Sequence, residues 1–297
     1  MAAKYSLQIE GFEVPLSNPD KLLWPELGLT KADYVKLLLP VAPYLIRYCQ
    51  NRYLTTIRYP DGVHGESFYQ KNCPQPTPEF VNTAFHGEHE YVLLNNLPTL
   101  IWLANLASLE FHPSLHTIGD ELPEQWIIDL DPSIPVEPRI MEAAALVGQL
   151  LHSLGIDSVP KTSGATGVQV VIKLQRGPTF AQLKSFGLFV AQYLCQQSPN
   201  LFTIERLKKD RGTRIYIDYA QHDIGRTIAA AYTPRATPYA TISMPLTWEE
   251  VSRNPSPRDF TLLNAATHLS QTGDLLEQAP VQHLTETLQA FQTQLRN

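Results

Sequence analysis

Two aspartates one residue apart, Asp129 and Asp131, close the run Gln125-Trp126-Ile127-Ile128-Asp129-Leu130-Asp131-Pro132. The apolar residues before them and the proline after them predict a short strand that ends at Pro132. On a strand, Ile127, Asp129 and Asp131 share one face, and Trp126, Ile128 and Leu130 the other. Two carboxylates about 6.5 Å apart repel by about 2–3 kcal/mol at an effective dielectric near 20. A cation or a shared proton between them relieves that repulsion. The spacing therefore suits a divalent metal, but taken alone it fits a solvated strand end beside a turn better.

A third carboxylate has a comparable setting. Arg214-Ile215-Tyr216-Ile217-Asp218-Tyr219 predicts a strand with Arg214, Tyr216 and Asp218 on one face. It follows the most basic stretch of the chain, residues 203–214, with Arg206, Lys208, Lys209, Arg211 and Arg214. Asp218 could complete a metal cluster or form a plain ion pair with an arginine. Lys161-Thr162-Ser163-Gly164-Ala165-Thr166-Gly167 leads into another strand, Val168–Leu174. Such a turn can aim N–H groups at an anion, or simply close a hairpin; no Gly-Lys-Ser/Thr follows, so it is not a Walker loop. His64, His86 and His89 fit no recognised ligand spacing.

The elements that must position these residues alternate between strands and helices. Strands are predicted at Tyr5–Ile9, Leu54–Tyr59, Glu66–Gln70 and Tyr91–Leu94, and residues 73–90 read as a Pro- and His-bearing loop. Thr30 and Asp33 form a capping box for a helix reaching about Gln50, which Pro40 and Pro43 should kink or split. Leucines and alanines at helical spacing predict a buried helix over Thr99–Phe111, with His112 at its end. Further helices are expected over Arg139–Leu154, stopped by Gly155, and from Pro178 to about Gln197. Thr247 and Glu250 cap a short one. Asp259–Leu269 and Val281–Leu295 are amphipathic candidates in the polar tail.

The chain has 297 residues, 43% hydrophobic and 18% charged, which is ordinary globular composition. No run approaches 18 apolar residues, so no membrane span is expected. Met1–Glu10 lacks a signal pattern, and the three cysteines, Cys49, Cys73 and Cys195, form neither a zinc spacing nor a disulfide framework. A cytoplasmic protein is the expectation. A net charge of −6 counts against nonspecific coating of nucleic acid but leaves room for a local basic groove.

Several blocks, in order, resemble one family. They are Leu16-Ser17-Asn18-Pro19-Asp20-Lys21, Arg58-Tyr59-Pro60-Asp61-Gly62 with Ser67-Phe68-Tyr69-Gln70-Lys71-Asn72, and Asp129-Leu130-Asp131-Pro132. To these add Lys161-Thr162-Ser163-Gly164, Arg211-Gly212 with Ile217-Asp218-Tyr219-Ala220-Gln221, and Pro245-Leu246-Thr247-Trp248. Together, from about residue 14 to 252, they look like the polymerase domain of bacterial ATP-dependent DNA ligase D, in the archaeo-eukaryotic primase superfamily.

The resemblance implies an α+β primase-polymerase fold with an RRM-like catalytic module, an N-terminal αβ module and largely antiparallel sheets flanked by helices. One catalytic domain over residues 1–297 is expected, with modules at about 1–112 and 113–254 and a helical tail at about 255–297. No ligase or nuclease region accompanies it, so a stand-alone or excised module is expected.

The implied activity is metal-dependent, template-directed nucleotidyl transfer that fills gaps at DNA breaks in non-homologous end joining or excision repair, with a taste for ribonucleotides. Asp129, Asp131 and Asp218 would hold two Mn²⁺ or Mg²⁺ ions. His112, Ser163, Gln169, Arg211, Gln221 and Arg235 would contact the nucleoside triphosphate. Lys21 and Lys31 would grip a 5′-phosphate, Phe68 and Tyr69 would stack on template bases, and Lys71 would also touch DNA. Implied partners are gapped or broken DNA with a 5′-phosphate, a Ku-like ring and a DNA ligase, at the nucleoid.

Two departures bear on the triphosphate. The family usually has a lysine where Thr166 stands and a histidine where Gln169 stands, so weaker nucleotide binding is expected, about tenfold per contact. His222 replaces a usual asparagine. A DNA-end-binding module that has lost catalysis is the alternative these departures favour; a phosphodiesterase using the same carboxylates is another.

Overall fold

The computed structural model describes residues 5–296; Met1–Lys4 of the amino-terminal stretch and Asn297 lie outside the described residues. The chain forms two compact units, each assembled from separate segments. The first comprises the residues up to Ile118, Thr227–Ser243 and Phe260–Gln271; the second comprises Gly119–Arg226, Met244–Asp259 and the residues from Thr272.

The first unit opens with a hairpin of β1 (Tyr5–Ile9) and β2 (Phe12–Leu16), followed by the small pair β3 (Leu22–Trp24) and β4 (Leu29–Thr30). The Thr30–Asp33 capping box is present: the Thr30 hydroxyl accepts from Asp33 N and the Asp33 carboxylate accepts from Thr30 N. It starts α1 (Lys31–Leu38), and α2 (Ala42–Cys49) follows. The expected long helix is thus split around Pro40, which removes an N–H and clashes with the preceding turn, while Pro43 sits in the first turn of α2, where no N–H is needed.

A larger antiparallel sheet contains β5 (Leu54–Arg58), β6 (Phe68–Gln70), β7 (Asn82–His86), β8 (His89–Leu93) and β9 (Ser108–Pro113), with α3 (Leu97–Asn105) before the last strand. Two expectations are corrected here. Residues 73–90 are not all loop, because β7 and β8 form a hairpin turned by Gly87 at φ 60°. The helix expected over Thr99–Phe111 ends at Asn105. Ala107 takes a left-handed φ of 58°, and Ser108–Pro113 pairs with β5. The leucine spacing continues through the break, so periodicity alone could not reveal it. His112 therefore stands on a strand, opposite Thr55.

The second unit has one five-stranded sheet. Its elements are β10 (Gln125–Pro132), α4 (Ile140–Ser153), β11 (Val159–Thr162), β12 (Val168–Lys173), α5 (Phe180–Gln197), β13 (Phe202–Thr203), β14 (Ile215–Asp218) and α6 (Trp248–Ser252). The strand order is β11-β12-β10-β14-β13, antiparallel except for the parallel β13–β14 pair. Towards the carboxy terminus, α7 (Ala265–Thr272) falls almost wholly in the first unit, and α8 (Leu275–Gln278) and α9 (Thr285–Arg296) in the second. Mixed helices and mostly antiparallel sheets make the fold α+β, as expected.

Helices pack against the even-numbered side chains of β10. The Trp126 ring lies 5.5 Å from that of Phe186 on α5. Gly187, one residue on, lies against the Trp126 indole at ordinary contact distance. Gly148 on α4 is packed closer: a Cβ there would overlap the Trp248 ring, whose Nε1 donates to Ser158 O at 2.8 Å. Gly148→Ala should therefore lower stability by about 1–3 kcal/mol, measured by urea unfolding, although helix propensity alone favours alanine. With one face of β10 committed to helices, the odd-numbered residues, including both aspartates, occupy the other.

Candidate active site

The register of the second sheet brings the chemistry together. Asp129 on β10 stands directly opposite Asp218 on β14, and Asp131 opposite Tyr216. Directly opposed residues of antiparallel strands lie about 4.5–5.5 Å apart at Cα, so Asp218 is a neighbour of Asp129 across more than eighty residues of sequence. On its other side Asp129 faces Gln169 of β12, and Gln169 faces Lys161 of β11. Four strands thus carry one row across the sheet: Lys161, Gln169, Asp129, Asp218.

Each acid has a distinct setting. Asp129 is 9% exposed, and its Oδ1 is buried without a hydrogen-bond partner. Burial first, then the Asp131 charge, push its carboxyl up to about 8; Asp218 adds to the rise, while a hydrogen bond from Gln169 and the charge of Lys161 oppose it. Asp218 is half-buried, and its Oδ1 accepts from Ala220 N at 3.1 Å and from the Tyr216 hydroxyl at 3.3 Å. Gly167 brings the start of β12 against β10: a Cβ there would lie 2.5 Å from Leu130 O and 3.6 Å from Asp131 Oδ1.

A buried carboxylate oxygen with no donor, beside two more carboxylates, is a set of hard oxygen ligands, and it fits Mg²⁺ or Mn²⁺. Among the described residues no three His, Cys, Asp or Glu side chains close into a metal cage. Backbone register, not side-chain convergence, places Asp129 opposite Asp218, with Asp131 two residues along the same strand.

The other expected site residues of this unit surround the row. Ser163 is buried in the β11–β12 turn, where its hydroxyl accepts from Ala165 N and Gly167 N, each at 3.1 Å. The turn thus closes a hairpin. Gln169 is also buried, and its Oε1 accepts from Lys161 Nζ at 2.5 Å. The Arg211 guanidinium lies 3.9 Å over the Tyr216 ring, and it donates to the Glu205 and Arg206 carbonyls at 2.9 and 2.7 Å. Gln221 follows the turn after Asp218, its N–H bonded to Asp218 O.

The remaining expected residues belong to the first unit. His112 Nε2 lies 3.0 Å from Glu110 Oε2, and Arg235 Nε lies 2.8 Å from the same oxygen. Glu110 is buried, and despite that burial its carboxyl is held below the usual range by His112 and Arg235. Lys21 pairs with Asp61 at 2.7 Å. Lys31 is buried and donates to Ser17 O and Asn105 O, each at 2.8 Å. Its ammonium is lowered to about 8, by burial first and then by Lys21 and Arg58. Phe68 and Tyr69 are exposed, at 43% and 72%, and Lys71 is exposed beside them.

Sequence reasoning missed four members of these arrangements. Lys161 and Glu110 were invisible as partners because their contacts are set by strand register. Arg58 joins Lys21 and Lys31 as a third cation and lies 5.1 Å over the Phe68 ring. Tyr216 links Arg211 to Asp218, and its place on the Asp218 face was the one available signal.

The second unit is thus a sheet with helices on one face of β10 and the acids on the other. The family profile described as LigD, primase-polymerase domain, matches residues 30–276. The bifunctional non-homologous end joining protein LigD of Bacillus subtilis is 37% identical over 263 residues, which cover 88% of this chain and 43% of that protein. The multifunctional non-homologous end joining protein LigD of Mycolicibacterium smegmatis is 31% identical over 283 residues, covering 92% of this chain and 37% of that protein.

Among solved structures, the polymerase domain from Mycobacterium tuberculosis ligase D in complex with DNA superposes with a TM-score of 0.81 at 27% identity, covering 89% of this chain and 97% of that one. The chain belongs to the LigD primase-polymerase domain family, a family of nucleotidyltransferases. It spans less than half the length of these two curated relatives.

Proposed function

We propose that this protein is a metal-dependent, template-directed nucleotidyltransferase that fills gaps at DNA breaks during non-homologous end joining or excision repair. The observation that carries the reading is the pairing of Asp129 with Asp218, with Asp131 two residues along the same strand face. Two Mn²⁺ or Mg²⁺ ions held by these acids would activate a primer 3′-hydroxyl and stabilise the leaving pyrophosphate.

The chain's own residues do the rest. Asp129 offers its unpartnered oxygen, and Asp218 is oriented by Tyr216 and the Ala220 amide. Arg211 and Gln221 stand beside that strand end as triphosphate contacts, and Ser163, in the β11–β12 turn, is a further nucleotide contact. His112 and Arg235, organised on Glu110, are further nucleotide contacts. A preference for ribonucleotides, and action alongside a Ku-like ring and a DNA ligase at the nucleoid, complete the proposal. Among the described residues no helix is long and apolar enough to cross a membrane.

The relative solved with DNA supports a nucleic-acid surface here as well. Lys21, Lys31 and Arg58 form a cation cluster beside exposed Phe68, Tyr69 and Lys71, suited to a 5′-phosphate and stacked bases. Lys31 carries its charge below pH 8 and loses it as pH rises through that value. The preference for 5′-phosphate over 5′-hydroxyl ends should therefore fall by about fivefold, or about 1 kcal/mol, between pH 7 and pH 9.5. Fluorescence anisotropy with labelled DNA ending in a 5′-phosphate or a 5′-hydroxyl reads this directly, and Lys31→Met should show the weaker preference at both pH values.

The deciding assay is extension of a gapped, 5′-phosphorylated duplex with Mn²⁺ and ribonucleoside triphosphates. Templated addition is expected. No addition, together with retained binding to 5′-phosphorylated ends, would instead support the end-binding reading that Thr166 and Gln169 motivate.

A further inference from the structure

Gln169 stands where the family usually has a histidine, yet its side chain is committed along the sheet. It lies in one cross-strand row between Lys161 and Asp129. Lys161, Gln169 and Asp129 are 2%, 3% and 9% exposed. An ammonium has only donors, so the 2.5 Å bond from Lys161 Nζ fixes Gln169 Oε1 on the Lys161 side. The amide NH₂ is then left on the side of Asp129. A neutral histidine also carries one acceptor and one donor, but at fixed positions on its ring, so it would bridge Lys161 and Asp129 only if the ring spanned both; the longer glutamine side chain carries the two on its terminal amide.

We propose that Lys161 and Gln169 are positioning residues for Asp129: a buried ammonium–amide relay that holds one carboxylate oxygen and leaves Oδ1 to a divalent ion. The relay rests on the reading of Asp129 as a metal ligand. It gives Gln169 a role other than contact with the triphosphate, so the family histidine has been replaced by a group serving the metal side of the site. Such a relay would hold one carboxylate oxygen through the Gln169 amide, and Oδ1, which has no protein donor, is the oxygen it would leave over. The amide also keeps the Lys161 charge one side chain away from the ion.

The test is Mn²⁺ binding to the whole protein without nucleotide or DNA, reading free Mn²⁺ by its electron paramagnetic resonance signal. Folding of each variant is checked by circular dichroism. Gln169→Asn keeps the amide but is one methylene too short to bridge, and Lys161→Met removes the ammonium. Each should weaken Mn²⁺ binding by about tenfold, the usual scale for groups that orient a metal ligand. The double variant should be no weaker than about tenfold, because either change breaks the same relay.

Gln169→His, which places the family residue there, should bind Mn²⁺ more weakly than wild type. Asp129→Asn separates the two layers of the argument. If it abolishes binding while Gln169→Asn and Lys161→Met bind within twofold of wild type, the metal reading stands and the relay is overturned. Effects that multiply to about a hundredfold in the double variant also overturn the relay. Failure of the wild type to retain Mn²⁺ removes both. If Lys161→Met does not fold, Gln169→Asn decides alone.

Discussion

Replacing Asp129 with asparagine is expected to reduce nucleotidyl transfer by at least about a thousandfold while leaving the protein folded and more stable. The loss follows from the place of Asp129 in the row: it is the acid flanked on both sides, facing Asp218 across one strand pair and sharing a strand face with Asp131. Asparagine keeps the shape and one carbonyl oxygen but cannot supply the negative charge that a divalent ion requires. Electrostatic groups at the reacting centre are commonly worth several kcal/mol, and 1.4 kcal/mol is a factor of ten.

The gain in stability follows from burial. A carboxylate beside two others, with one oxygen lacking a donor, destabilises the metal-free fold. Thermal unfolding of the metal-free variant at pH 8.5 should show a gain of about 1–2 kcal/mol. A variant that loses both activity and stability would mean that Asp129 is a structural residue.

Mn²⁺ affinity should rise by about tenfold per pH unit up to pH 8 and level off above it. Burial and the neighbouring acids raise the Asp129 carboxyl to about 8, so near neutrality the metal-free protein holds a proton there. An ion must displace that proton, and one proton released per binding event gives the tenfold slope. For the metal-free protein the sign is the same as for any raised acid: its contribution to stability is present at low pH and is lost as pH rises through about 8. Between pH 6 and pH 8 the expected change in affinity is therefore about fifty- to a hundredfold, read by calorimetry in buffers of different ionisation enthalpy. Asp129→Asn removes the proton and should abolish the pH dependence with the binding. A flat profile in the wild type would show that Asp129 is already ionised and that its burial is compensated by the protein alone.

Local chemistry was readable in the sequence; non-local register was not. The strand Gln125–Pro132, the division of its faces and the capping boxes at Thr30 and Thr247 all depend on neighbours within a few residues, and all are present. The resemblance added Asp218, which spacing alone left open between a metal ligand and an ion pair. The misses have non-local causes. The β7–β8 hairpin is carried by side chains with no clean alternation, and α3 gives way to β9 inside an unbroken leucine pattern, at one left-handed alanine. The contact between Lys161 and Gln169 needs the pairing of β11 with β12, and the facing of Gln169 and Asp129 needs that of β12 with β10. Segments such as Thr227–Ser243 return to the first unit after the whole second sheet has been laid down. No window of sequence contains that return.

The most direct test of the central claim is anomalous diffraction from crystals soaked with Mn²⁺ and a nucleoside triphosphate. The expected result is manganese density bound by carboxylate oxygens of Asp129, Asp131 and Asp218, at about 2.0–2.3 Å. Density elsewhere, or none at these three acids with nucleotide bound, would contradict the account.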